Sequence, residues 1–249
     1  MSDRPILFSA PMILAILREI EAPGTGKTQT RRVLKLGRSR PDYIGPRGCT
    51  KDPSCWGWEM DDGDFWLVQR GVGDREQQWS NWTGAYQAGD RLWVRETWAA
   101  GACANGLAPS CLHPAFWLRD NGGLWYAADE AEPAHPVTPK GPNRSGIHMP
   151  RWASRLTLRV TDVRVQRLQE ISEADAVAEG IEHDQDRSRG NVIAWRDYLD
   201  RGGKCGTAIA SFRSLWDSLN AERAPWASNP WVVAVTFRPV LSNIDRVAA

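Results

Sequence analysis

The chain has 249 residues, long for one ordinary domain and short for two full ones. Its formal charge is +1, from 31 Lys+Arg against 30 Asp+Glu, which excludes a protein that coats nucleic acid through bulk positive charge. Hydrophobic residues make up 42 %, which excludes a disordered chain.

Residues 6–8 form a short apolar strand in this reading. In 11–20, Met12, Ile13, Ile16, Leu17 and Ile20 share one face behind Pro11 and predict a helix. The run Pro23-Gly24-Thr25-Gly26 ends it, and 28–36 reads as a strand crowded with basic residues. Residues 37–85 are rich in Gly, Pro, Asp and Trp and predict an irregular insertion with a hairpin around 65–69. After a turn at Ala88-Gly89-Asp90, 92–98 alternates Leu92 and Val94 against Trp93 and Arg95, as a strand does. Residues 99–145 form a second loop-rich insertion, punctuated by Pro109, Pro114, Pro133, Pro136, Pro139 and Pro142.

Regular structure returns with a long strand over 154–168. Leu156, Leu158 and Val160 have one parity, and Val163 and Val165 the other. A bulge at Thr161-Asp162 would turn both sets to the core. A short helix follows over 172–179, capped by Ser172 with Asp175 three residues on, and stopped by Gly180. Helices over 191–199 and 207–219 and an apolar strand over 231–237 complete the chain. The expected organisation is one α+β domain over 1–249, with insertions at about 37–85 and 99–145. No run of residues is long and apolar enough for a membrane span, and the first residues lack the pattern of a signal peptide. A cytoplasmic protein is expected, with reduced cysteines.

Gly24-Thr25-Gly26-Lys27-Thr28 resembles a phosphate loop, but Glu21 stands where that pattern needs its first glycine. The order of elements, helix then strand, is also reversed. No cofactor is expected. The cysteines form no C-x-x-C pair, so no metal site is expected either. A clip from Cys49, Cys55, Cys103 and Cys111, with His113, is the alternative. The polar run Lys27-Thr28-Gln29-Thr30-Arg31-Arg32 reads either as a solvated strand edge or as chemistry. Beside a turn, Lys27 and Thr30 could converge, and a desolvated lysine can activate a hydroxyl. Glu179 ends its helix, where the dipole disfavours a carboxylate by ~0.3–1 kcal/mol, so it reads either as exposed or as placed to meet a cation such as Lys27. Arg144, Arg151, Arg155, Arg159, Arg164 and Arg167 cluster closely, opposed only by Asp162. They read as a solvated strand face or as a phosphate-binding face.

Four ordered segments carry a family resemblance: Gly26 to Arg32, Gly89 to Trp98, Ile147 to Arg155, and Asp175 to Ile181. Together they resemble an ASCH-domain protein, more closely its phage and prophage branch. The closing segments Phe212 to Asn220 and Asn229 to Val233 also fit. The resemblance covers 1–36, 86–99 and 146–240 and leaves out both insertions. It implies a PUA-like fold, a small curved β-barrel with flanking helices, and a cleft suited to a nucleobase or RNA. Small bacterial members with similar motifs hydrolyse N4-acetylcytidine to cytidine and acetate. Their pattern is Lys-x-x-Thr plus a Glu in the helix after the long strand, which Lys27, Thr30 and Glu179 match.

The resemblance therefore implies an amidohydrolase that removes an acyl group from the exocyclic N4 of a cytidine-type nucleoside. Either Thr30 attacks the amide carbonyl with Lys27 taking its proton, or Glu179 activates a water while Lys27 and Thr30 stabilise the oxyanion. Arg31, Arg32 and Arg95 are candidate contacts to the ribose or carbonyl oxygen, and Trp93 or Trp98 could stack on the base. The competing class is an RNA- or modified-base-binding module, or a ribonuclease, that uses Arg151, Arg155, Arg159 and Arg164. The expected partners are a nucleoside-type small molecule or RNA, with no membrane.

Overall fold

A computed structural model describes residues 2–34, 42–43, 56–59, 65–67, 86–114, 123–129, 131–133, 138–184, 194–199 and 204–247. The chain divides into two compact units. The first comprises 1–27, 89–159 and 238–249, and the second 28–88 and 160–237. Both combine helices with strands, so the α+β class holds.

In the first unit, β1 (Asp3–Leu7) lies parallel to β6 (Arg91–Arg95), with Ile6 opposite Val94. The other side of β6 pairs antiparallel with the first residues of β9 (Thr157–Arg167), Leu92 facing Leu158. Helix α1 (Ala10–Glu21) buries Ile13, Ala15 and Ile16, and Pro11 sits in its first turn, where no N–H is missed. The strand expected over 92–98 is two strands. Its chain leaves β1 after Arg95, and β7 (Trp98–Ala100) pairs instead with β8 (Leu124–Tyr126). Residues 96–97 are the break, because the strand exchanges partners there. Trp98 anchors a core of Ala100, Ala104, Leu112, Met149 and Ala153.

In the second unit the strand order is β9, β13 (Trp231–Val240), β2 (Gln29–Val33). β2 is antiparallel to β13, with Thr30 opposite Val235 and Arg31 opposite Ala234. Burial along β9 changes parity as expected: Leu158 and Val160 are buried, then Val163 and Val165. Helices α2 (Glu173–Ala178) and α3 (Ala208–Asn220) contribute Ala176, Phe212 and Trp216 to a core shared with Leu168, Ile171, Trp226 and Val232. Thr207 caps α3, its side chain accepting from the Ala210 N–H.

Within 37–85 the sheet is larger than one hairpin. β3 (Asp42–Tyr43), β4 (Trp56–Glu59) and β5 (Phe65–Leu67) form three antiparallel strands, while residues 68–69 lie outside the described residues. The helix expected over 191–199 is not formed. β11 (Ala194–Arg196) is the middle strand between β10 (His183–Asp184) and β12 (Lys204–Cys205), and 191–193 lie outside the described residues. Trp195 is buried there, its ring stacked on His183 at 3.8 Å. Pairing with strands distant in sequence overrode the local helical pattern.

No sheet in either unit closes on itself among the described residues. Among the same residues, no helix is long and apolar enough to cross a membrane.

Candidate functional site

The polar centre of the second unit forms where α2 meets β2. Ser172 caps α2 by accepting the Asp175 N–H at 3.1 Å, and Gly180 stops it with φ +83°. Glu179 is therefore held at the helix end, 5 % exposed. The Thr28 N–H donates to the Ala178 carbonyl at 2.9 Å, which joins the start of β2 to the end of α2. Arg31 then reaches Glu179: its Nη1 donates to Oε1 at 3.1 Å. The same nitrogen donates to Gln29 Oε1 at 2.5 Å, and Nη2 donates to Asp175 Oδ2 at 3.0 Å. Asp175 also accepts from Arg164 Nη2 at 3.0 Å and from Gln29 Nε2 at 3.2 Å.

Alternation along β2 puts Gln29 and Arg31 on one face and Thr30 and Arg32 on the other. β2 is the edge strand of its order, and Glu179 acts on both faces. It bonds Arg31, and its charge also supports the protonated form of Arg32. Burial, the larger effect, still holds the Arg32 guanidinium below the ordinary arginine value. Burial also raises the Asp175 carboxyl, but its bonds and charge contacts with Arg164, Arg31 and Gln29 win and leave it below the ordinary aspartate value. Thr30 is 2 % exposed.

Lys27 closes the first unit and is fully buried. A clip at the end of α1 fixes it. Glu19 accepts the N–H groups of Gly24 at 3.0 Å and Gly26 at 2.9 Å, and the Lys27 N–H donates to the Ala15 carbonyl at 2.9 Å. A side chain at position 26 would lie 2.3 Å from Ala15 O and Glu19 N, so only glycine permits this approach. The Lys27 ammonium lies 6.0 Å from the centre of the Phe8 ring.

The remaining candidates are placed less simply. In the first unit Arg95 covers the Trp93 ring at 4.6 Å, and Arg95 Nε has no hydrogen-bond partner among the described residues. Trp98 is fully buried in its core, with Arg144 5.7 Å from its ring centre, so it has no open face for a base. Arg31 has 0 % side-chain exposure, and its terminal nitrogens are engaged by Gln29, Glu179 and Asp175. Expected as a substrate contact, it holds protein carboxylates.

Most of the arginine cluster is engaged by groups of the chain itself. Arg151 pairs with Asp3 and Asp245, Arg155 with Glu96 and Asp129, and Arg164 with Asp162 and Asp175. Arg144 donates to the Leu107 and Ala104 carbonyls, and Arg167 lies 4.3 Å from the Trp231 ring centre. Arg159 is exposed on β9, opposite Arg91. Cys103 and Cys111 are exposed free thiols, Cys49 and Cys55 lie outside the described residues, and no metal-binding cluster occurs among the described residues.

No family model, curated protein or solved structure matches the chain. Sequence reading missed Asp175, Gln29 and Arg164 as partners of the Glu179 end. One signal was available: Asp175 and Glu179 are four apart, and two acids at that spacing repel on a helix unless a cation lies between them.

Proposed function

We propose that the protein is a PUA-like amidohydrolase of the ASCH type that removes an acyl group from N4 of a cytidine-type nucleoside. The observation that carries this reading is the junction of two distant segments. The Thr28–Ala178 hydrogen bond of 2.9 Å and the buried Arg31–Glu179 pair of 3.1 Å tie the start of β2, which carries Thr30, to the glutamate-bearing helix end. Lys27, Thr30 and Glu179 are all buried polar groups. A buried polar side chain at a helix end and at an edge strand is costly unless it is bonded or used.

In the reaction, water adds across the amide. The acyl carbon–N4 bond breaks, N4 leaves with a proton as the amino group of cytidine, and the acyl group departs as a carboxylic acid. Two routes give these products. In one, the Thr30 hydroxyl attacks, Lys27 takes its proton, and water cleaves the acyl-threonine. In the other, Glu179 takes a proton from water, and Lys27 and Thr30 support the oxyanion. Trapping of an acyl-Thr30 selects the first route, and its absence during turnover in labelled water selects the second.

The test is absorbance-monitored conversion of N4-acetylcytidine to cytidine. Wild type turns over, and Lys27→Ala, Thr30→Ala and Glu179→Ala each lose roughly 10²–10⁴-fold in kcat. No turnover by wild type, or turnover unchanged in these variants, overturns the reading. The binding-module alternative draws less support, because Arg151, Arg155 and Arg164 are paired with carboxylates of the chain itself. Weak RNA affinity with a flat salt response is the expected result.

A further inference from the structure

Resting on the amidohydrolase reading, we propose that Asp175 is a positioning residue for Glu179, acting through Arg31. The two carboxylates stand four residues apart, one helical turn, and would repel. Arg31 lies between them with no exposed side-chain surface. Its Nη2 is bonded to Asp175 at 3.0 Å and its Nη1 to Glu179 at 3.1 Å. The guanidinium is planar and rigid, so fixing one of these nitrogens fixes the direction of the other.

Asp175 is well suited to do the fixing. It sits in the first turn of α2, where the helix dipole favours a carboxylate. Three side chains from two strands converge on it: Arg31 and Gln29 from β2, and Arg164 from β9. Gln29 is itself held by a bond to Thr236 Oγ1 on β13 at 3.0 Å. The depressed Asp175 carboxyl agrees with this convergence. Glu179 lies at the opposite end of the same helix, where the dipole disfavours its charge and the bond from Arg31 offsets that cost. Asp175, Arg31 and Glu179 form a chain in which the first group is held on three sides and the last carries the proposed proton transfer. Charged groups near Glu179 include Arg31 and Arg32 from β2 and Asp175 from its own helix.

A simple clamp between α2 and β2 would show the same bonds, so the test must separate stability from chemistry. Asp175→Asn and Arg164→Gln are compared with wild type in N4-acetylcytidine hydrolysis. Rates are normalised to the folded fraction read by circular dichroism. The expected result for Asp175→Asn is a kcat loss of roughly 10–100-fold at unchanged KM. Its acid limb of kcat should move to higher pH. Loss of a neighbouring negative charge alone would move that limb to lower pH, whereas loss of Arg31's hold moves it up. Arg164→Gln removes the half-exposed brace and leaves Asp175 in place, so it folds even where Asp175→Asn does not. A smaller kcat loss of the same kind, again at unchanged KM, is expected.

Wild-type turnover with normalised kcat and pH limb unchanged in both variants overturns this inference and leaves the amidohydrolase reading standing. An acid limb moved to lower pH overturns it as well. No wild-type turnover overturns the amidohydrolase reading and this inference with it.

Discussion

Gly26 shows how a single residue can place a functional group. Its N–H is held by Glu19, and the missing side chain lets the backbone touch α1. Gly26→Ala would set a methyl 2.3 Å from two backbone atoms that cannot move aside. The expected cost is about 3 kcal/mol by urea unfolding, at the upper end for overpacking. Arg31 is the second such residue. Arg31→Ala leaves Asp175 and Glu179 without the cation between them, and a loss of roughly 3–5 kcal/mol is expected by the same measurement. A value below about 1 kcal/mol would mean that water or Arg164 replaces the guanidinium easily.

At the scale of elements, α2 has six residues, too few to be stable alone. Its cap and its docking on β2 make it. Ser172→Ala removes the acceptor of the Asp175 N–H, and a loss of about 1 kcal/mol in unfolding free energy is expected. This helix was legible in the sequence because its start signal, its stop signal and its length are all local. So was α1, whose buried Ile13 and Ile16 follow the apolar spacing. β11 was not legible. Its three residues are defined by Cys205 and His183, which pair with Trp195 from either side, and no window around 194–196 contains both partners. The break between β6 and β7 was hidden for the same reason, since alternation continues from Leu92 to Trp98 while the pairing partner changes.

At the scale of the whole molecule, stability should depend on pH with two opposite contributions. Asp3, Asp129 and Asp175 lie below the ordinary value of 3.8: Asp3 through its bond to Arg91, and the other two because their arginine bonds overcome burial. Their contribution is present above pH 3.8 and is lost as pH falls through the depressed folded values. Glu96 is opposite in sign. Burial raises its carboxyl above 4.5 despite Arg155, so the folded chain binds that proton more tightly and gains stability as pH falls toward 4.5. The urea midpoint should therefore hold or rise slightly as pH falls toward 4.5 and drop below 3.8. Asp175→Asn should make the drop shallower, and a drop of unchanged steepness would show that the aspartate does not contribute.

The sequence by itself determined the mixed class, the helix α1 and the helix that ends at Glu179. Each depends on composition, on a repeat of two or 3.6 residues, or on a cap within four residues. It also singled out Lys27, Thr30 and Glu179 through motif and resemblance. Only the tertiary structure decided what the charged groups do. Arg31 meets Glu179 and Asp175 because β2 is an edge strand against the end of α2, and five arginines expected on an open face are spent on carboxylates, carbonyls or a ring within the chain. A charge's partner is set by distance in space, and local patterning carries no record of which residues the fold brings in from other elements.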